Sequence, residues 1–497
     1  MIREKSDFQK FSASFWRSDA FWLLTLSFGL LVFRFFYLAF WTPYTLAPDE
    51  AQYWHWLQRL DLAFVTKPAL TTWLMGISTW LLGDTLPGVR LFSLMSQFAV
   101  PLLGFALVRQ AHASRSSSWI AFAALTTAPL IAAGGLIMSP DALLLPLWLG
   151  ALWFVGRALE KNIWRDWLIV GLFVGLGGLA KYTAVLFFPL LGLYLLLYRR
   201  DVLRAPQVWI AGLLALALQT PTLYWNATNE WAGFAHLLWQ TNGGGDDRHG
   251  GLMTLLEFLG SQILVWGPAA FALMVWGCVR GWKKTPLLFW MSAPIFAGFI
   301  LMTLQGKVQA NWPVLGTTGL LMTGCVALPS LKKWAYALIG VGISISALLS
   351  AALYTTPTLY SYGLLKNKID PTKEMLGYAE LGYITRLKLE TLDMPRVILS
   401  SRYQTAAELA FNTGGRPPVL YVNPGNKRDT EYDHWDWPDL TDTLVLYVNE
   451  RPELPEAVAR RFFNCQPYGS AIMERHGQKL RSAWFWVCWD DRFVATP

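Results

Sequence analysis

Apolar runs of roughly 20 residues recur between positions 20 and 354 of this 497-residue chain, and a run of that length spans a bilayer as a helix. In lipid the backbone must satisfy its own hydrogen bonds, so a chain built this way folds as a bundle of helices. The runs fall near 20–41, 88–109, 117–138, 141–158, 166–181, 183–198, 207–224, 257–279, 286–305, 311–329 and 334–354. Composition agrees: 54% of residues are hydrophobic and only 15% are charged, less charge than a soluble domain carries. Arg3, Lys5, Lys10 and Arg17 precede the first run. That run is too long for a cleaved signal peptide and lacks a small-residue cleavage site, which predicts a retained signal-anchor.

Basic residues set the orientation. Arg109/Arg115, Arg157/Lys161/Arg165, Arg199/Arg200/Arg204, Arg280/Lys283/Lys284 and Lys332/Lys333 fall on alternate loops. With the basic N-terminus they mark the cytoplasmic side, and eleven crossings put the C-terminus outside. The net charge of +8 is accounted for in this way. Basic residues dispersed over span ends make no nucleic-acid surface, so no nucleic-acid partner is expected. The stretch Ala69 to Gly83 is apolar but short and rich in Trp and Thr, and it reads as an interfacial helix. Counting it as a crossing would reverse every later loop and place the basic clusters outside.

Charged residues, Pro and Asn return after Thr355. Strands are predicted at 396–400, 419–423, 443–448 and 483–489, with helices at 405–412 and 454–463. The expected architecture is a polytopic α-helical membrane domain over 1–354 and a small α/β domain over 355–497, outside the membrane. Cys465 and Cys488 would pair in an oxidising compartment or remain as two buried thiols. Cys278 and Cys325 lie toward cytoplasmic span ends and stay reduced. The four cysteines show no metal-ligand spacing, and no metal site is predicted.

Ionisable residues collect at the outer ends of the spans. Pro48-Asp49-Glu50 follows the first span, and Lys67-Pro68 lies in the same loop. Proline at a helix start with acids in its first turn is ordinary capping chemistry, so Asp49 and Glu50 each have a structural reading beside a catalytic one. Ser139-Pro140-Asp141 is another helix start, with Ser139 as its cap. Lys67, Lys181 and Lys307 read either as snorkelling cations or as phosphate contacts. The segment Asn242-Gly-Gly-Gly-Asp-Asp-Arg248-His249 reads as a flexible loop or as a lid carrying a phosphate-binding Arg248. Acids and bases gathered at one membrane face suggest a catalytic site.

These residues resemble a known family. An Asp-Glu pair after the first span, a Lys-Pro soon after, and an Asp opening a later span look like the GT-C glycosyltransferases. Within them the chain resembles the bacterial branch related to protein O-mannosyltransferases and the lipid A aminoarabinose transferase. The likeness runs from about residue 20 to 330, and Gly178 to Pro189 is similar to that branch as well. The resemblance implies a polyprenyl-phosphate sugar donor, an outer-face reaction in a bacterial inner membrane, and a periplasmic C-terminal domain. It implies Asp49 as the catalytic carboxylate, Lys67 as a donor-phosphate contact and Asp141 as the acid of the second outer loop. Relatives often place an acid before the Lys-Pro and a second Pro after it, where this chain has Thr66 and Ala69.

The expected reaction is therefore sugar transfer to a hydroxyl or phosphate acceptor, on lipid A, another glycan or a protein. Asp49 would take the acceptor proton, with Glu50 and Asp141 beside it in the catalytic set. Lys67, with Lys181, Arg248, His249 or Lys307, would hold the donor phosphate. The residues name no certain cofactor, and a divalent cation is the one addition the chemistry would admit. The competing expectation is a transporter or flippase for a lipid-linked glycan, which calls for ionisable residues at mid-span depth. The spans here are nearly free of charge, Arg34 being the main exception.

Overall fold

The computed structural model describes residues 2–42, 44–241, 250–361, 372–392, 396–425, 430–475 and 477–491. Its contacts divide into two compact units. The first holds Met1–Trp41, Arg90–Tyr224 and Leu237–Leu353, and the second holds Thr42–Val89, Trp225–His236 and Tyr354–Pro497.

The first unit is helical. Among the described residues of the chain, Asp19–Trp41, Leu86–Gln110, Pro140–Lys161 and Lys333–Thr356 are long and apolar enough to cross a membrane singly. Three further helix pairs reach that length only as bent spans, and several helices are shorter. The run at 257–279 is not the single span its hydropathy predicts. Leu252–Trp266 and Pro268–Lys283 meet at a 118° bend. Gly267 sits there at φ +81°, which its missing side chain permits, and Pro268 restarts the chain at a first helical position. Hydropathy averages over such a break.

Small residues bring the helices together. Gly277 and Gly324 let Pro268–Arg280 lie directly on Val314–Ala327, so close that a Cβ on Gly324 would stand 1.9 Å from the Leu273 carbonyl oxygen. Lipid tails are as apolar as leucine, so close van der Waals approach takes over much of the role that hydrophobic burial has in water. Outward faces are apolar too, as at Phe21, Trp22, Leu338 and Leu348. A core of Leu149, Leu152, Trp148, Phe187 and Leu320 fills the interior.

The second unit is built on a five-stranded sheet of β1 (Arg396–Ser400), β2 (Val419–Tyr421), β3 (Leu444–Asn449), β4 (Phe462–Arg475) and β5 (Gln478–Asp491). The order is β2-β1-β3-β5-β4, with β1 parallel to β2 and β3 and with β5 antiparallel to β3 and β4. The short apolar runs of β1 and β3 are buried, as central strands require. Strand β4 and helix Tyr378–Glu390 escape the sequence pattern. Strand β4 is a largely exposed edge, interrupted by an irregularity between Pro467 and Ser470 that spoils its alternation. Cys465 and Cys488 face each other across β4 and β5 and are disulfide-bonded. Cys278 and Cys325 are free.

Thr42–Val89 belongs to this unit rather than to the helical one. Helix Pro48–Trp56 packs on helix Tyr403–Thr413, with Trp54 meeting Phe411 edge-on at 5.2 Å. Thr45 N–H donates to the Met375 carbonyl, adding backbone pairing.

Candidate active site

Helix Pro48–Trp56 divides the work of its two acids. Glu50 is fully buried, and its Oε2 accepts the Ala47 N–H at 2.7 Å. That gives the N-cap N–H of this helix start an acceptor from the third helical residue. Asp49, one residue earlier, turns the other way. It is open to solvent, and its carboxylate accepts no hydrogen bond from any described residue. Protein nevertheless crowds it, and the desolvation raises its carboxyl above the ordinary range. The Lys67 cation pulls it back down, and the neighbouring Glu50 charge adds to the rise. The outcome is a carboxylate that water reaches, that holds its proton more firmly than usual, and that has a cation close by.

Lys67 is placed by a tight turn. Phe64 N–H donates to the Lys67 carbonyl at 3.0 Å, and Lys67 N–H donates to the Phe64 carbonyl at 3.2 Å. The bridge between Ala63 and Pro68 continues the pairing outward. Phe64 stacks on Trp56 with ring centroids 4.3 Å apart, fixing the turn to the helix that carries Asp49. Asp61 braces the same loop, accepting the Trp225 indole N–H at 2.9 Å.

The C-terminal region supplies neighbours that sequence reasoning missed. Tyr403 opens its helix, and burial, with the Asp49 charge adding to it, pushes its phenol up to about 12. Its neighbour Arg402 donates to Glu450 Oε2 at 2.7 Å, and Glu450 also accepts from Arg481. His55 Nδ1 lies 3.2 Å from Tyr432 Oη, and burial lowers the imidazole to about 3, so it is neutral in all ordinary conditions. Glu431 Oε2 accepts the Val65 N–H at 2.8 Å, and burial raises this carboxyl to about 7. No spacing in the sequence links these residues to Asp49; only the fold does.

A cleft of about 830 Å³ opens elsewhere in the same unit, lined by Trp54, Trp73, Trp80, Gln58 and Asp84 among others. Helix Leu70–Leu82 forms one wall, with Trp80 and Leu81 exposed, in keeping with an interfacial helix.

The first unit holds a second polar group. Ser139 caps helix Pro140–Lys161 by accepting the Ala142 N–H, and Asp141 stands in its first turn. Lys181 Nζ donates to both Asp141 oxygens at 2.7 and 2.9 Å, and Asn311 Nδ2 donates to Oδ2 at 2.9 Å. A chamber of about 200 Å³ is lined by Ser96, Gln97, Ser139, Asp141 and Asn311 among others. The buried Arg34 donates to Gln97 Oε1 at 3.0 Å, which gives the mid-span cation a structural partner. Lys181 is thus committed to Asp141, whereas Lys307 is exposed and pairs with no described residue. Arg248 and His249 lie outside the described residues. Among the described residues, no cluster of three His, Cys, Asp or Glu side chains has the makings of a metal site.

Comparison with known proteins gives this geometry a setting. The profile of the family described as dolichyl-phosphate-mannose-protein mannosyltransferase matches residues 66–225. The lipid A galacturonosyltransferase RgtD of Rhizobium johnstonii is 28% identical over 347 residues, 67% of this chain and 71% of that protein. The crystal structure of ArnT from Cupriavidus metallidurans in the apo state superposes with a TM-score of 0.63 at 16% identity, covering 94% of this chain and 98% of that one. The same protein bound to undecaprenyl phosphate gives 0.65 at 15% identity, covering 95% and 99%. The ArnT likeness is one of fold. With the two sequence matches beside it, the class is defined: the chain is a glycosyltransferase of the GT-C superfamily. The transporter alternative falls away with that assignment.

Proposed function

We propose that this enzyme transfers a sugar from a polyprenyl-phosphate donor to a hydroxyl on a lipid A-type glycolipid. The reaction takes place at the periplasmic face of a bacterial inner membrane. The observation that carries the reading is a solvent-open Asp49 within electrostatic reach of the Lys67 cation, on a helix whose other acid, Glu50, is turned inward as a cap. The names of RgtD and of the ArnT complex favour a lipid A acceptor and a polyprenyl phosphate donor. The loop charges favour the outer face and a periplasmic C-terminal region.

In this reaction the acceptor hydroxyl gives its proton to the Asp49 carboxylate as its oxygen attacks the anomeric carbon. The bond from that carbon to the phosphate oxygen breaks, and polyprenyl phosphate leaves carrying the electron pair. Raising the carboxyl strengthens Asp49 as a base. The charge that develops on the leaving oxygen is met by Lys67. Attack opposite the leaving group inverts the anomeric centre. Glu50 serves by holding the helix that aims Asp49.

Mass spectrometry of lipid A from cells carrying wild-type protein, Asp49→Asn protein or none tests the reading. A sugar-sized mass found only with wild type supports it. The same mass in Asp49→Asn cells would overturn the role of Asp49, and its presence in all three would overturn the acceptor.

A further inference from the structure

Val65 is the first of the two inner residues of the Phe64–Lys67 turn, and it is 2% exposed. The turn's own hydrogen bonds run between Phe64 and Lys67 and leave the Val65 N–H unused. A buried backbone donor left in that state is costly, so something must accept it. The acceptor comes from more than 360 positions along the chain: Glu431 Oε2, at 2.8 Å, on a side chain 5% exposed.

Glu431 is itself held firmly. It opens the short helix Glu431–His434, where Thr430 N–H and hydroxyl both donate to Asp433 Oδ2 at 2.6 and 3.0 Å. The next residue, Tyr432, is buried against His55, Tyr421 and Trp435. Trp435 in turn packs edge-on against the His55 ring at 5.0 Å. A carboxylate fixed on one side in this way is a rigid post, and the turn that carries Lys67 hangs from it.

We propose that Glu431 is a positioning residue for the donor site, holding the Lys67 turn in place through the Val65 N–H. The C-terminal region thereby takes part in donor binding without touching the donor. The inference rests on the donor-phosphate role proposed above for Lys67, and the experiment separates the two.

The test measures the affinity of the full-length, detergent-solubilised protein for undecaprenyl phosphate in wild type, E431A, E431Q, K67M and the E431A/K67M double variant. Removing the post should weaken binding about 5- to 20-fold, because a buried donor loses its partner and the turn relaxes. E431Q keeps a carbonyl oxygen in place and should bind within about twofold of wild type. K67M should weaken binding about tenfold by loss of the cation. If Glu431 acts through Lys67, the double variant binds no more weakly than K67M alone, which general structural damage would not produce.

Wild-type affinity in E431A beside weakened K67M would overturn the inference and leave the Lys67 reading standing. Additive losses in the double variant would overturn it equally. Unchanged binding by K67M would overturn the Lys67 reading, and this one with it. Should E431A fail to fold, E431D retains the charge with a shorter reach and is expected to fall between wild type and K67M; wild-type affinity there, with K67M weakened, counts against the proposal.

Discussion

Asp49 and Glu50 are adjacent acids with different fates. Glu50 is buried as the acceptor of a helix-start donor, and Asp49 stays accessible beside Lys67. Asp49→Asn should therefore lower kcat by roughly 10²- to 10⁴-fold with the fold intact, as measured by product formation in purified protein. Glu50→Ala should instead act on stability, costing about 1–2 kcal/mol for the lost cap, read as a lower melting temperature with Asp49 still in place. Glu431 makes a prediction about pH. Its folded carboxyl titrates at about 7 against an ordinary 4.5, so the folded state binds this proton more tightly than the unfolded chain does. The stabilisation is fully present below about pH 4.5 and is lost as pH rises through 7, up to about 3 kcal/mol in all. Glu431→Gln has no charge to desolvate. Its melting temperature relative to wild type should rise between pH 5 and pH 8, and a flat difference would refute the burial argument.

At the scale of elements, close helix contact and one covalent link make separable claims. Gly324→Ala drives a methyl into the Leu273 carbonyl and must push Pro268–Arg280 off Val314–Ala327. Overpacking of this kind costs about 1–3 kcal/mol, which a thermal melt in detergent would read. The disulfide closes the hairpin of β4 and β5. Replacing both cysteines by serine should destabilise the second unit by about 3 kcal/mol on a chain-entropy account, without altering donor binding before that unit melts. The elements also show where pattern reading stops. The spans at 20–41, 88–109 and 141–158 were legible because each is a continuous apolar helix, found at Asp19–Trp41, Leu86–Gln110 and Pro140–Lys161. The break at Gly267-Pro268 was visible as residues, but its 118° angle depends on what the two halves pack against. Strand β4 was illegible because an edge strand need not alternate.

For the whole molecule, the unexpected partition is that Thr42–Val89 forms one compact unit with the C-terminal region. The Asp49 helix rests on Tyr403–Thr413, and the Lys67 turn rests on Glu431. A chain truncated after Ser361 should therefore lose glycosyl transfer altogether while still inserting into membranes, as assayed by lipid A mass in complemented cells. Full activity in the truncated chain would mean that the C-terminal region is an accessory.

By itself the sequence determined the helical class of the fold and the place of its long apolar spans, and it offered candidate site residues. It could do so because hydropathy and charge are local properties, and a bilayer reads them locally. It offered Asp49, Lys67, Asp141 and Lys181 as polar residues at span ends, but not their pairing. Only the tertiary structure decided that Lys181 and Asn311 both hold Asp141, that Glu50 is a cap, and that Glu431 reaches the Val65 amide. Those are contacts between distant segments, and their energies depend on burial and approach distances that no local pattern carries.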